Sequence, residues 1–198
     1  GPAFLDVYRG LVERRVYAKH AGLKVMADAL KICVNGSFGK LGSKWSVLYS
    51  PDLLIQVTLT GQIALLMLIE ALEEAGIKVI SANTDGVVSV VPEYERKRFE
   101  FAVLLWEIAT GFTTEETEYS DLYAKDVNNY IAVKPDGTTK LKGLYAPAGM
   151  SKNTTNEICV EAVIAKLTQG IDVRFTIGAC HDIRKFVTIR KVDGGAKY

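Results

Sequence analysis

The chain has 198 residues, of which 48% are hydrophobic and 24% charged, a balance typical of a globular protein with ample core. Three cysteines at no metal-ligand spacing and two distant histidines argue against a disulfide framework and a histidine-based site, and favour a reducing compartment. The net charge of +1 is the sum of a basic first part (residues 1–50, net +5), an acidic middle (51–121, net −9) and a basic last part (122–198, net +5). Two basic parts would suit the binding of a polyanion, but solvated helix faces give similar blocks of charge.

The first part of the chain predicts two helices. Apolar residues recur with helical periodicity over residues 4–20, Gly22 breaks the pattern, and a second helical pattern runs over residues 23–38. Gly36 and Gly39 are predicted to end the second helix. Two helices joined by so short a turn predict an antiparallel helical hairpin.

The next element predicted is one long helix. It opens at Pro51, reaches about Ala75 and stops at Gly76, after a loop or short strand over residues 45–51. Its most apolar run, residues 63–69, is too short to span a bilayer and is interpreted as a buried helix, so neither a membrane segment nor a signal peptide is expected.

A β-hairpin is predicted over residues 77–91. Two runs rich in β-branched residues, 78–82 and 87–91, flank Asn83-Thr84-Asp85-Gly86, so Asp85 is expected at the tip and Gly86 at a positive φ. Two interpretations stay open at this point: a plain Asp-Gly turn, or a metal-binding carboxylate displayed by a stiff hairpin.

The rest of the chain alternates between helices and short strands. The predicted elements are a helix over 94–110, strands over 118–123, 129–134 and 138–144 with a turn at 135–137, a helix over 152–169 closed by Gly170, and a strand near 186–192.

Two motifs resemble those of family B DNA polymerases. Lys31-x-x-x-Asn35-x-x-Phe38-Gly39 is similar to the family's fingers-helix motif Lys-x-x-x-Asn-Ser-x-Tyr-Gly. About fifty residues further on, the segment 83–86 is similar to the Asp-Thr-Asp-Ser of its palm hairpin.

Three further segments extend the resemblance to phage-type members over nearly the whole chain. Residues 11–19 resemble the first fingers helix, with Arg15 at its triphosphate-binding arginine. Residues 128–130 resemble the Lys-x-Tyr element that grips the primer strand, and residues 142–170 the crossing from palm to thumb.

The resemblance implies phosphoryl transfer onto a primer hydroxyl, for which Mg²⁺, or alternatively Mn²⁺, neutralises charge and a deoxynucleoside triphosphate is the substrate. Asp85 is implied as the catalytic and metal-binding carboxylate, with Lys31 as a catalytic and triphosphate-binding cation. The remaining implied contacts are with the incoming nucleotide (Arg15, Lys24, Asn35 and Phe38) and with the primer–template (Gly39, Asn129 and Tyr130). Lys24, Lys31 and Asn35 are spaced i, i+7, i+11 and so share one helix face.

Some positions depart from the family pattern. Asn83 replaces the first hairpin carboxylate, Gly36 replaces Ser, Phe38 replaces Tyr, and Asn128 stands where Lys is expected. The family's second metal-binding Asp, carried by an earlier palm strand, and its exonuclease carboxylates have no counterpart in the chain. We therefore expect the partners to be primer–template DNA and the missing N-terminal half of the polymerase, with no membrane.

Three hypotheses remain open. The chain is a fragment or subunit of a template-directed DNA polymerase that is inactive alone, a degenerate polymerase-like module that binds primer–template without chemistry, or an unrelated α+β metal-dependent phosphotransferase. The favoured first hypothesis predicts an α+β fold with fingers over 1–44, a palm over 45–144 with an antiparallel sheet and packed helices, and a palm-to-thumb crossing with a partial thumb over 145–198. It also predicts a cytoplasmic location, in a bacterial cell or a phage-infected host.

Overall fold

A computed structural model of the chain describes residues 2–147 and 155–189. Within them lie six α-helices: α1 (Pro2–His20), α2 (Lys24–Lys40), α3 (Pro51–Glu74), α4 (Arg96–Thr110), α5 (Glu157–Gln169) and α6 (Val173–Gly178). The same residues form five strands: β1 (Lys78–Asn83), β2 (Gly86–Val90), β3 (Asp121–Asp126), β4 (Asn129–Val133) and β5 (Thr139–Lys142). Short 3-10 helices cover Glu93–Glu95, Gly143–Tyr145 and Ile183–Phe186. The predicted α+β class is confirmed.

The chain divides into two compact units. One comprises Gly1–Ile80 with Thr84–Thr110, and the other Ser81–Asn83 with Gly111–Tyr198. The fingers, palm and thumb boundaries near residues 44 and 144 stay predictions.

In the first unit, α1 and α2 pack against each other as the predicted helical hairpin. Gly22, at φ +69°, makes the turn between them. The covered positions follow the helical repeat on both helices: Tyr8, Leu11, Arg15 and Ala18 on α1, and Ala27, Leu30, Val34 and Ser37 on α2. The hydroxyl of Tyr8 also donates a 3.4 Å hydrogen bond to the carbonyl of Val34.

The end of α2 differs from the prediction. The helix runs through Gly36 and Gly39 to Lys40, because neither glycine adopts a positive φ that would end it. The backbone N–H of Leu41, at the C-cap, donates to the carbonyl of Phe38 instead.

The core of the first unit lies between α3, α4 and the β1–β2 hairpin. Leu68, Leu72, Ile77 and Ala102 are buried together, and Val79, Val87 and Val91 of the hairpin region pack against them. The indole N–H of Trp106 donates a 2.8 Å hydrogen bond to the carbonyl of Ala64, which ties α4 to α3. Gly76, at φ +81°, ends α3 as predicted.

Residues 63–69 are helical, as predicted, but the prediction that the run is buried is wrong for most of its residues. Ile63 is 57% exposed and Leu66 is 52% exposed, because only the stripe of Ala64, Leu68 and Leu72 faces the core. The whole of α3 is also long and apolar enough, by length and composition alone, to cross a membrane, with a mean hydropathy of 1.8 over its most apolar window. The apolar part of α3 is therefore longer than the seven-residue run predicted from the sequence.

The second unit contains a three-stranded antiparallel sheet in the order β3–β4–β5. Ala124 pairs with Tyr130, and Tyr130 pairs with Lys142 on the other side. The central strand β4 carries the buried Ile131 and Ala132. The predicted turn is confirmed with Gly137 at φ +79°, although β3 begins three residues later than predicted.

The last described segment packs around α5. Gly170, at φ +73°, ends this helix as predicted, and Lys185 forms a 2.7 Å ion pair with Glu161. The predicted strand over 186–192 is wrong as far as residue 189, since Thr188 makes only a single bridge with Thr155. Residues 152–154 of the predicted helix and 190–192 of the predicted strand lie outside the described residues.

Candidate functional site

Asp85 lies at the tip of the β1–β2 hairpin. Thr84 and Asp85 form the two-residue turn between the strands, and the Asp85 side chain is exposed. The base of the hairpin is anchored by Ile77, which is buried in the core between α3 and α4. The predicted geometry, a carboxylate at the end of a stiff apolar ribbon, is therefore present.

The predicted backbone of this turn is wrong in one respect. Gly86 has no positive φ and instead begins β2, and none of residues 83–86 has a positive φ. The turn is thus not one of the primed types that need such residues. A Cβ added at Gly86 would meet no described atom within 4 Å, so this position does not require glycine.

A single carboxylate is not a complete metal site. Within residues 2–147 and 155–189, no group of three or more His, Cys, Asp or Glu side chains is placed to hold a metal ion. In the same part of the chain, the Asp85 carboxylate has no Lys or Arg ion-pair partner. Mg²⁺ prefers several oxygen ligands, so the described residues do not fit a two-metal centre by themselves. Asp85 is available as one ligand.

The predicted nucleotide-binding residues of α2 lie on one side of the helix. Lys24, Lys31 and Asn35 are exposed, and Phe38 is 38% exposed beside them. At about 100° per residue, this face lies roughly a quarter-turn from the face that packs on α1. Two cations, one amide and one aromatic ring thus share a surface free to meet a ligand. Gly39 follows in the last turn, where an added Cβ would meet no described atom within 4 Å.

Arg15 has a different environment. It is half-buried on the face of α1 that packs against α2, in line with Tyr8 and Ala18. Lys31, by contrast, lies on the exposed face of α2. That Arg15 and Lys31 bind one triphosphate stays a prediction.

Asn129 has a structural role that the sequence did not indicate. Its Nδ2 donates hydrogen bonds of 2.8 and 2.9 Å to the two carboxylate oxygens of Asp126, and its Oδ1 accepts a 2.7 Å bond from the N–H of Leu144. The bond from Asn129 is the largest cause that lowers the pKa of Asp126, followed by the bond from the N–H of Asn128. The side chain of Asn129 thus links the end of β3 to the 3-10 helix that follows β5, and its predicted primer contact stays a prediction.

Gly143 explains why the segment after β5 can lie so close to Asn129. It has φ +63°, and an added Cβ would collide with the carbonyl oxygen of Asn128 and the side chain of Asn129. Glycine is therefore required here on both conformational and steric grounds. A Lys-Gly pair at the end of a strand pattern was a weak signal for this role.

Tyr130 forms a cation–π contact that was also missed. The Nζ of Lys142, its partner across the β4–β5 pair, lies 5.7 Å from the centroid of the Tyr130 ring. Lys140, two residues earlier on β5, lies 6.0 Å from the centroid of the Tyr119 ring. The available signal was the pair of lysines at alternate positions of β5, next to a predicted strand that carries Tyr130.

Comparisons with known proteins point to one class of enzyme. Over 122 residues, 62% of the chain, it is 23% identical to DNA polymerase 1 of Sulfurisphaera ohwakuensis and 24% identical to DNA polymerase 1 of Sulfolobus acidocaldarius. The chain spans only 14% of the length of either relative. No protein-family model matches the chain.

This similarity supports a relationship between the chain and DNA polymerases, which are nucleotidyltransferases. It agrees with the resemblance drawn from the fingers and palm motifs. The family B assignment and the phage type are finer statements, and they enter the proposal that follows.

Proposed function

We propose that the chain is part of a template-directed DNA polymerase of family B, phage type, and carries its fingers, most of its palm and the start of its thumb. It would add deoxynucleotides to a primer 3′ end in DNA replication, and it would act in the cytoplasm of a bacterial cell or phage-infected host. The observation that carries the proposal is the exposed carboxylate of Asp85 at the tip of a core-anchored hairpin, in a chain related to DNA polymerases. Among residues 2–147 and 155–189 this carboxylate has no ion-pair partner.

In this proposal, each predicted residue has a defined task. Asp85 is the carboxylate that this chain contributes to a Mg²⁺ or Mn²⁺ site, and carboxylates from the N-terminal part of the polymerase complete that site. Arg15, Lys24 and Lys31 bind the triphosphate of the incoming nucleotide, because guanidinium and ammonium groups neutralise phosphate oxygens.

The remaining residues hold the nucleic acid and the base. Asn35 donates a hydrogen bond to the incoming nucleotide, and Phe38 offers an apolar face beside the new base pair. Gly39, Asn129 and Tyr130 contact the primer–template. For Asn129 that contact is restricted to its backbone, since its side chain is engaged by Asp126 and Leu144.

A second candidate is a degenerate module that binds primer–template DNA without chemistry. It is favoured by Asn83, an amide at the position where the resemblance implies the first hairpin carboxylate. Both candidates predict DNA binding. They differ in whether the completed enzyme extends a primer.

The experiment that tests the proposal uses the isolated 198-residue chain and a labelled primer–template. Binding is expected to be weak and to fall steeply between 50 and about 200 mM salt, because the contacts are with phosphates. No extension is expected in the presence of Mg²⁺ and all four deoxynucleotides, since one acidic ligand cannot hold two metal ions. A chain that does not bind DNA at any salt concentration would overturn both candidates.

A further inference from the structure

Strand β5 carries two lysines on one side of the three-stranded sheet. Lys142 pairs with Tyr130, and residues paired across two strands lie on the same side of a sheet. Lys140 is two residues from Lys142 on the same strand, so both lysines lie on the side of Tyr130. Two residues along a strand span about 7 Å. The sheet therefore holds the backbone positions of the two lysines about 7 Å apart on one side.

Each lysine is held by an aromatic ring. The Nζ of Lys142 lies 5.7 Å from the centroid of Tyr130. The Nζ of Lys140 lies 6.0 Å from the centroid of Tyr119 and donates a 3.3 Å hydrogen bond to its hydroxyl oxygen. That hydrogen bond is the largest cause that raises the pKa of Lys140, so its ammonium group stays charged at neutral pH. Contacts of this kind position a cation without neutralising it.

Among the described residues, no strand residue on the same side of the sheet is acidic. The strand residues that share it are, by register, Leu122, Ala124, Tyr130 and Ala132. Neither Lys140 nor Lys142 forms an ion pair with any other described residue. Surface lysines without a carboxylate partner are free to bind an external anion.

We propose that Lys140 and Lys142 bind neighbouring phosphates of one DNA strand, and that Tyr119 and Tyr130 position the two ammonium groups. The inference rests on the proposed function and adds two residues to the primer–template contacts. The spacing fits, because successive phosphates of one DNA strand rise 3.4 Å along the helix axis and lie farther apart in space as the backbone winds around that axis, so two lysine positions about 7 Å apart match neighbouring phosphates. These contacts fix the position of the strand and carry no sequence information.

The test compares two double variants with the same loss of charge. K140Q/K142Q removes the two proposed contacts. K125Q/K134Q removes two lysines from the same unit that have no ring contact among the described residues. Binding of each chain to a fluorescent primer–template duplex is measured by anisotropy from 25 to about 200 mM salt, and circular dichroism with a urea midpoint checks that each is folded.

The slope of log affinity against log salt is negative, and its magnitude is expected to fall by about 1.8 in K140Q/K142Q, at about 0.9 per phosphate contact, and to fall much less in K125Q/K134Q. A third variant, Y119L, keeps both charges and is expected to weaken binding because Lys140 loses its ring contact and its hydrogen bond. Equal slopes for the two double variants, with the unaltered chain binding DNA, would overturn this inference and leave the proposed function standing. Failure of the unaltered chain to bind DNA would overturn both.

Discussion

The side-chain oxygen of Asn129 accepts a 2.7 Å hydrogen bond from the backbone N–H of Leu144. Through its amide nitrogen the same side chain holds both carboxylate oxygens of Asp126. One residue thus joins the β3–β4 turn to the segment that follows β5. These hydrogen bonds stabilise the position of β4, the strand that carries Tyr130.

Replacement of Asn129 by alanine is expected to destabilise the chain by about 1 kcal/mol, because the Leu144 N–H loses its acceptor. Urea unfolding measures the change. Asn128→Ala is the matched control, since Asn128 contacts Asp126 through its backbone N–H alone. Equal losses of stability in the two variants would show that the hydrogen bonds of the Asn129 side chain do not stabilise the fold.

The same substitution is expected to change the titration of Asp126. The bond from Asn129 lowers the pKa of Asp126 below 3.8, so this carboxylate stabilises the folded state above pH 3.8 and loses that effect as the pH falls toward its folded pKa. In Asn129→Ala the pKa should rise toward 3.8, as followed by NMR of the carboxyl carbon. Asp182, whose pKa is held at about 2 chiefly by its hydrogen bond from Arg184, should not move. An unchanged pKa of Asp126 would contradict the assigned cause.

Gly143→Ala is expected to cost more than about 3 kcal/mol, because it adds a collision to the penalty of a left-handed conformation. Gly137→Ala is the control. It has φ +79° but open space around the added Cβ, so it should cost about 1 kcal/mol. Denaturation midpoints compare the two. A similar cost for both would mean that Gly143 is needed for its φ alone.

Gly86→Ala is expected to leave stability unchanged or raise it by about 0.4–1 kcal/mol. The backbone at Gly86 is open to any residue, and an added Cβ meets no described atom within 4 Å. Thermal unfolding measures the effect. A loss of stability above 1 kcal/mol would contradict this backbone geometry and favour the positive φ predicted from the Asn-Thr-Asp-Gly sequence.

Much of the fold was predictable from local pattern. Gly22, Gly76 and Gly170 end or break helices where periodicity stops, and the structure has positive φ at all three. Gly36 and Gly39 were misinterpreted, since glycine permits a helix end without requiring one. Burial on α3 also could not be deduced, because composition does not tell which stripe of an apolar helix is covered.

The candidate site was predictable where a single hairpin or helix determines it. The exposed tip position of Asp85 and the shared face of Lys24, Lys31 and Asn35 follow from strand and helix repeats. The contacts of Asn129 with Leu144 depend on residues fifteen positions apart in sequence. Such contacts arise only once strand register is set, and no local pattern carries them.

The central claim is that Asp85 is a catalytic carboxylate of a DNA polymerase. The measurement is primer extension by the chain completed with the N-terminal polymerase portion, in cis or in trans. The unaltered enzyme is compared with the variant Asp85→Asn and with the control variant Asp136→Asn. Asp136 is a second aspartate in an exposed Asp-Gly hairpin turn, and its Oδ1 accepts hydrogen bonds from Thr138 that an asparagine oxygen can still accept.

With Mg²⁺ and all four deoxynucleotides present, Asp85→Asn is expected to reduce the extension rate by about 100-fold or more, as for loss of other groups that stabilise transition-state charge. Binding of primer–template should stay nearly unchanged, and Asp136→Asn should extend like the unaltered enzyme. Equal extension by the two variants would contradict the account, as would template-directed incorporation by the isolated 198-residue chain.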